Sequence, residues 1–451
     1  MIPKFVRVAA IDNEQEHLEK IYSALVRAGY WVMPFLYDLG SVSPEPPSPY
    51  NGVRLIFTDI HLNDGGMNNM AQQALAIVSA LKKIVCDGPY VVIFWTKFPT
   101  DAEEVFNNIK VRAKELELVP PVGYGCIDKN LVLTSDNSNL VELKTQIDEA
   151  IKNSGALLLS VSWEERVSQA AVLTTHRLFE LARSNENEDA LTIWHKLLSF
   201  LSAQSVGEAQ VQRAPIAAMD SALLPILEDR LTAAASHAVD SLGELLLTED
   251  GNMPPSISCP SLNSHYLVST LVADGGYLPS SRGVVSLIQR NEWDASQNDV
   301  WGCSCNDAIR KEFLLTTNQS LSDDKIDEIQ PCLVTLTPEC DDVQGKVVSY
   351  RYLFAVLVPF SDSNRSWYFS KSKKQYSNLS IFDAGVLSLD IGSGKSDYCL
   401  LISCNRFFAR PTSELMNVTP KLRLRRATLE ELSHHYATHS RRPGVMRFSL
   451  Y

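Results

Sequence analysis

Asp59 closes the apolar run Leu55-Ile56-Phe57, which is bounded in front by the turn pair Asn51-Gly52 and behind by Asn63-Asp64-Gly65-Gly66. Asp12, with Asn13 and Glu14 directly after it, closes Phe5-Val6-Arg7-Val8-Ala9-Ala10-Ile11. Thr96 and Lys97 end Val91-Val92-Ile93-Phe94-Trp95, and Lys129 follows Tyr124-Gly125-Cys126-Ile127-Asp128. Runs of this length and apolarity are expected of strands covered on both faces, and in open α/β sheets the reacting groups collect at the carboxyl ends of the strands. Asp59 stands at such an end and is expected to be chemically active.

The elements that must position these residues are legible as an alternation. Apolar positions at Leu18, Ile21, Tyr22, Leu25 and Val26, closed by Gly29, predict a helix over Glu14–Ala28. Leu75, Val78, Leu81 and Ile84 predict another over Asn68–Ile84, and further helices are expected over Thr100–Leu118 and Leu140–Ile151. Trp31–Tyr37 reads as a second strand whose Pro34 marks an edge or a bulge. The stretch 41–49 holds four prolines, which remove donors and clash with a preceding helical turn, so an extended surface loop is expected there. Strands and helices alternating at these lengths imply a doubly wound parallel sheet of five strands.

These residues, in this order, resemble the receiver domain of two-component response regulators over about the first 150 positions. The resemblance implies a flavodoxin-like fold in which Asp59 is the phosphoacceptor, Thr96 the switch hydroxyl and Lys129 the lysine that pairs with a phosphoryl oxygen. It also implies Mg²⁺ held by Asp12, Asp59 and the backbone carbonyl of His61, and a cognate histidine kinase and a downstream effector protein as partners. Phosphorylation would add a charge of roughly −1.5 to −2, enough to rearrange a loop or docking face. Four departures stand out: Asn13 replaces a second acid, so that Glu14 would have to help at the metal; the proline-rich loop replaces the second helix; Asn130, not proline, follows Lys129; and Cys126 stands where an aromatic is common, with Tyr124 nearby.

The chain has 451 residues, too many for one ordinary core, and its hydrophobic fraction of 45% and charged fraction of 21% are those of a globular protein. Three regions are expected: 1–153 receiver-like, 154–250 a helical bundle, and 251–451 β-rich with a basic terminal helix. The N-terminus lacks a signal-like segment and no apolar run is long enough to cross a bilayer, so a cytoplasmic protein without a membrane partner is expected. Nine cysteines, an odd number spread thinly, fit reduced thiols. The net charge of −12 argues against generic nucleic-acid binding by the whole molecule while leaving room for a local basic patch.

Residues 154–247 carry apolar stripes at helical spacing, such as Trp163, Val167, Ala170, Leu178 and Leu181. Beyond the linker Thr248–Pro255, short runs at Tyr266–Val268, Val284–Ile288, Cys332–Leu336, Tyr352–Val358 and Cys399–Ser403 predict a sheet or barrel. Within it Thr335-Leu336-Thr337-Pro338-Glu339-Cys340-Asp341 sets a thiol and a carboxylate in one turn, and with the arginine-rich stretch Leu422–Arg442, expected as a helix, it resembles elements of bacterial conflict proteins. Cys340 as a nucleophile would need a base such as His265, His434 or His435, and a zinc site would need Cys303 and Cys305 as well. A buried structural thiol answers the same sequence. Gly392-Ser393-Gly394-Lys395-Ser396 lacks the spacing of a phosphate loop and reads as a hairpin turn.

The function expected is a non-enzymatic signalling protein, phosphorylated on Asp59, that acts by protein contact as a relay or a phosphate sink, in a phage-defence two-component pathway if the conflict-protein resemblance holds. The alternatives are a pseudo-receiver scaffold without phosphotransfer and an effector enzyme using Cys340 and Asp341.

Overall fold

The computed structural model describes residues 7–63, 69–86, 88–130, 144–147, 149, 155–183, 189–235, 254, 256–270, 277–344, 346–372, 375–392, 394–413 and 417–440. They divide into two compact units, Met1–Leu178 with Ile226–Gly251 and Phe179–Pro225 with Asn252–Tyr451.

The first unit is built on β1 (Val8–Asp12), β2 (Val32–Asp38), β3 (Ser41–Ser43), β4 (Leu55–Thr58), β5 (Val91–Thr96) and β6 (Gly123–Asp128), in the order β3-β2-β1-β4-β5-β6. Every neighbouring pair is parallel except β2 with β3. The sheet is therefore six-stranded and mixed, where the sequence led to five parallel strands. The cause is the turn Leu39-Gly40, whose positive φ angles of 44° and 89° reverse the chain between Asp38 and Ser41, the two-residue geometry that matches strand twist. Val42 then enters the core, so the first three residues of the expected proline-rich loop are strand. Pro34 lies outside the reach of β3, on a stretch of β2 paired on one side, with Ala10.

Both faces of this sheet are covered. Helices α2 (Met70–Ile84) and α3 (Ala102–Glu115) bury Ile77, Leu81, Val105 and Ile109 against Ile11, Ile56, Val92 and Phe94. Helix α1 (Gln15–Arg27), Ile147 and the start of α4 (Gly155–Arg183) bury Leu18, Ile21, Leu25 and Leu157 against Ala10, Phe57, Ile93 and Trp95. All six residues of β5 are buried, as a central strand between two helical layers requires. At the strands' amino ends, Glu164 of α4 takes hydrogen bonds from Arg7, before β1, and from Arg54, before β4, whose Nη2 lies at 2.6 Å. The stripe expected along this helix is only partly packed, since Trp163 and Leu181 are more than half exposed.

The middle stretch continues as α5 (Ala190–Val206), α6 (Glu208–Arg213) and α7 (Pro215–Ala235). Most of the helical pattern expected over 234–247 lies outside the described residues.

The second unit carries an open antiparallel sheet in the order β13-β14-β10-β9-β8-β15-β7. Its strands are β7 (Val268–Ser269), β8 (Val284–Leu287), β9 (Gln330–Thr335), β10 (Ser349–Pro359), β13 (Ile381–Asp390), β14 (Lys395–Pro411) and β15 (Thr419–Leu424), with β11 (Phe369–Ser370) and β12 (Gln375–Tyr376) as a separate small hairpin. The free edge of β13 is covered by α8 (Cys259–Tyr266), where the Ser264 hydroxyl donates to the Ser388 carbonyl and accepts from its amide, and Asn263 donates to the Val386 carbonyl. One face packs under α9 (Arg290–Trp301) and α10 (Cys305–Phe313), which bury Trp293, Ile309 and Phe313 against Phe354 and Leu401. The same unit holds α11 (Asp323–Asp327), α12 (Glu339–Gln344) and α13 (Asp362–Tyr368). The other face packs under α14 (Arg426–Ser440) through Leu429, Leu432 and Tyr436.

Leu422 and Leu424, expected on a terminal helix over Leu422–Arg442, are instead alternate inward residues of β15, and the helix begins at Arg426. Their spacing of two points both leucines to one face of a strand and would separate them on a helix. Arg441, Arg442 and Arg447 lie outside the described residues. Gly392 and Gly394, with φ of 118° and 95°, turn the β13–β14 hairpin in which Asp390 pairs with Lys395, as the sequence indicated.

Candidate functional site

β1 and β4 run side by side with Ile11 opposite Thr58, so Asp12 and Asp59 leave adjacent strand ends. Lys129 follows β6, across β5, and its side chain passes over the ring of Trp95 with Nζ 4.5 Å from the ring centre. The ammonium donates to Asp12 Oδ2 at 3.0 Å and to Asp59 Oδ2 at 2.7 Å. Three of the sequence-predicted residues thus converge in one charged cluster. Its members differ in depth: the side chains of Asp12 and Lys129 are 0% and 3% exposed, while that of Asp59 is 13% exposed.

Asp12 Oδ1 also accepts the Glu14 amide N–H at 2.8 Å. Burial pushes the Asp12 carboxyl above its ordinary range, opposed by the Lys129 ammonium and the Glu14 amide. Among the described residues Asp59 Oδ1 has one contact, at 3.5 Å from the His61 amide, while each oxygen of the inner carboxylate has a shorter bond.

The remaining candidates surround this cluster without joining it. Thr96 ends β5 fully buried, and its hydroxyl accepts the Phe98 amide N–H at 3.1 Å. The His61 ring stands edge-on to Phe98 at 5.0 Å, which ties the loops after β4 and β5 together. The Glu14 carboxylate is turned to His17 Nδ1 at 3.1 Å, so Glu14 serves the cluster through its backbone. Asn13 is half-buried and engaged in interactions of its own. In the second unit Asp341 stands on α12 and likewise has its own interactions, while Cys340 lies outside the residues whose side chains are described. Cys303 and Cys305 are core residues, and burial pushes the Cys305 thiol up to about 12, which makes it inert at neutral pH.

Two residues that sequence reading passed over take part. Trp95 reads as one more apolar residue of a strand, yet its ring is the floor under Lys129. Gln73 is fully buried on α2; its amide donates to the Asn63 carbonyl at 2.8 Å and accepts the Asn63 amide at 3.1 Å, fixing the start of the loop after β4. An amide on the apolar face of a helix was the signal available for it.

Among the described residues no group of three or more His, Cys, Asp or Glu side chains is arranged to hold a metal ion. A cation at this cluster would rest on the two carboxylates and the His61 carbonyl, hard oxygen donors of the kind Mg²⁺ takes with its remaining positions filled by water. Among the described residues every cysteine is a free thiol, and no helix is long and apolar enough to cross a membrane. Comparison with protein-family models, with curated proteins and with solved structures finds no match.

Proposed function

We propose that this chain is a response-regulator-like signalling protein in which Asp59 accepts a phosphoryl group from a histidine kinase. The observation that carries this reading is the single ammonium of Lys129 bonded to both Asp12 and Asp59 at the carboxyl ends of parallel strands. The strand order is consistent with it: within the six-stranded mixed sheet the run β2-β1-β4-β5-β6 is parallel throughout, in the order expected of a flavodoxin-like sheet, beside the antiparallel edge strand β3.

In the reaction an Asp59 oxygen attacks phosphorus, the bond from phosphorus to the donor histidine nitrogen breaks, and its electron pair leaves on that nitrogen. The product is an acyl phosphate. Mg²⁺, when bound by Asp12, Asp59 and the His61 carbonyl, would neutralise the phosphoryl oxygens. Lys129 supplies the fixed positive charge and pairs with one oxygen of the new group. Thr96 gives up the Phe98 amide to turn its hydroxyl towards another, which would pull on the loop that carries Phe98 and, through it, His61. The output is then a change of surface read by an effector protein, as a relay or a phosphate sink, in a phage-defence pathway on the C-terminal resemblance.

A pseudo-receiver scaffold is the second reading. It is favoured by the Glu14 carboxylate facing His17, which leaves Asn13 in the place of a second acid. Incubation with acetyl phosphate and Mg²⁺ separates the two: the phosphoacceptor reading predicts one added phosphoryl group by intact mass, absent in Asp59→Ala. An unmodified wild-type chain favours the scaffold, and modification that persists in Asp59→Ala refutes the assignment.

A further inference from the structure

We propose that one end of the antiparallel sheet in the second unit binds single-stranded nucleic acid. The alternation of that sheet brings the start of β8, the end of β9, the start of β10 and the end of β15 to the same end. Arg282, Arg351, Arg423 and Arg425 stand there, with Arg410 of β14 opposite Tyr350. Arg423 Nε donates to the Arg282 carbonyl at 3.2 Å, Arg282 reaches the Thr337 carbonyl and the Ser433 hydroxyl, and Arg425 Nε donates to the His265 carbonyl at 2.9 Å. Arg351 lies over the Tyr436 ring at 5.6 Å and Arg423 over the Tyr277 ring at 5.2 Å.

The partners of these arginines are carbonyls, a hydroxyl and ring faces; among the described residues none of the four is paired with a carboxylate. Elsewhere in the same unit Arg290, Arg310 and Arg406 are paired, with Asp327, Asp323 and Glu312. Of the acids that follow Thr337, Asp341 and Asp342 are engaged in interactions of their own, and Glu339 lies outside the residues whose side chains are described. In a chain of net charge −12, Arg282, Arg351, Arg423 and Arg425 hold positive charge without a carboxylate partner among the described residues at one end of the sheet. Each guanidinium has five N–H donors, so most of the donors in this group remain for phosphate oxygens.

Ring faces decide between polyanions. Phe407 is 44% exposed and stands edge-on to Tyr436 at 5.6 Å, beside the Arg351 guanidinium that covers the same tyrosine. An exposed ring beside arginine matches an unpaired strand, whose phosphates take the guanidinium and whose bases stack on Phe407, whereas an acidic polypeptide uses the charge alone. The negative charge of the molecule as a whole limits such binding to this end of the sheet.

Fluorescence anisotropy of a labelled oligothymidylate with the full chain tests the proposal. Three or four phosphate contacts predict a roughly 20- to 50-fold loss of affinity between about 50 and 200 mM salt. Arg423→Gln with Arg425→Gln should weaken binding roughly tenfold with an unchanged melting temperature, and Phe407→Ala should weaken it roughly five- to hundredfold. If the double arginine variant fails to fold, the salt slope and Phe407→Ala still decide. Absence of binding at the lowest salt overturns the proposal. So does polyglutamate binding that matches the oligonucleotide's and is untouched by Phe407→Ala, since that outcome assigns the surface to an acidic protein.

Discussion

The five parallel strands of the first unit's mixed sheet deliver their carboxyl ends to the same side, so Asp12, Asp59, Thr96 and Lys129 stand at neighbouring strand ends. The antiparallel sheet of the second unit alternates its ends, and the arginines that gather there come from the start of β8, the start of β10 and the end of β15, far apart in the chain. The two clusters also differ in compensation. Lys129 is buried and answered by two carboxylates, while Arg282, Arg351, Arg423 and Arg425 remain at least partly exposed and are answered by carbonyls, a hydroxyl and rings. Buried, compensated charge belongs to both folding and chemistry. Exposed, uncompensated charge is free to serve binding alone.

The largest effect should come from breaking the buried cluster. Lys129→Met leaves two neighbouring carboxylates without their cation, so chemical denaturation should report a loss of about 3–5 kcal/mol at neutral pH. The loss should shrink in acid, because burial already favours the protonated form of Asp12. An unchanged stability would mean that the ammonium is not held between the acids.

Next is the clamp at the opposite end of the same sheet. Glu164→Gln should cost about 1–2 kcal/mol, since the carboxylate takes charge-assisted bonds from Arg54 and Arg7. Those bonds, led by that from Arg54, hold the Glu164 carboxyl below its ordinary value of 4.5. Its contribution is therefore fully present above about pH 4.5 and is lost as the pH falls through the lower folded value, so wild type and variant should converge in acid.

Asp12→Asn should act in the other direction. The folded Asp12 carboxyl is raised above its ordinary 3.8, so the native state binds the proton more tightly than the unfolded chain. Its ionisation therefore opposes folding increasingly as the pH rises through the folded value. The variant should gain on the order of 1 kcal/mol at neutral pH, with the gain fading towards the unfolded value, and on the proposed reading it should lose acetyl-phosphate labelling. Smallest of all, Arg425→Gln on the exposed end should stay within about 0.5 kcal/mol of wild type in stability. A larger change there would erase the contrast between the two clusters.

The contrast also explains what could be read in advance. In a parallel sheet each chemical residue follows its own apolar run, so Asp12, Asp59, Thr96 and Lys129 are marked by local pattern, and α1, α2 and α3 by helical spacing between the runs. The pattern does not say where a side chain turns afterwards: Glu14 faces His17, the Thr96 hydroxyl faces Phe98, and Trp95 underlies Lys129. Ser41–Ser43 became strand because two positive-φ residues at Leu39-Gly40 make a hairpin, a signal overshadowed by four prolines downstream. In the second unit Leu422 and Leu424 read as part of the helix that follows, because a six-residue strand next to a fifteen-residue helix offers too few alternations to stand apart. Of the arginine-bearing end only Arg423 and Arg425 stand in a legible basic stretch, since Arg282 and Arg351 join them only through antiparallel pairing.

The central claim is that Asp59 is the atom-bearing acceptor in a charged cluster with Asp12 and Lys129. The most direct measurement is borohydride reduction of the acetyl-phosphate-treated chain followed by peptide mass mapping. The account predicts reductive conversion at Asp59 alone, dependent on Mg²⁺. Conversion at another carboxylate, or none under conditions where the chain is folded, contradicts it.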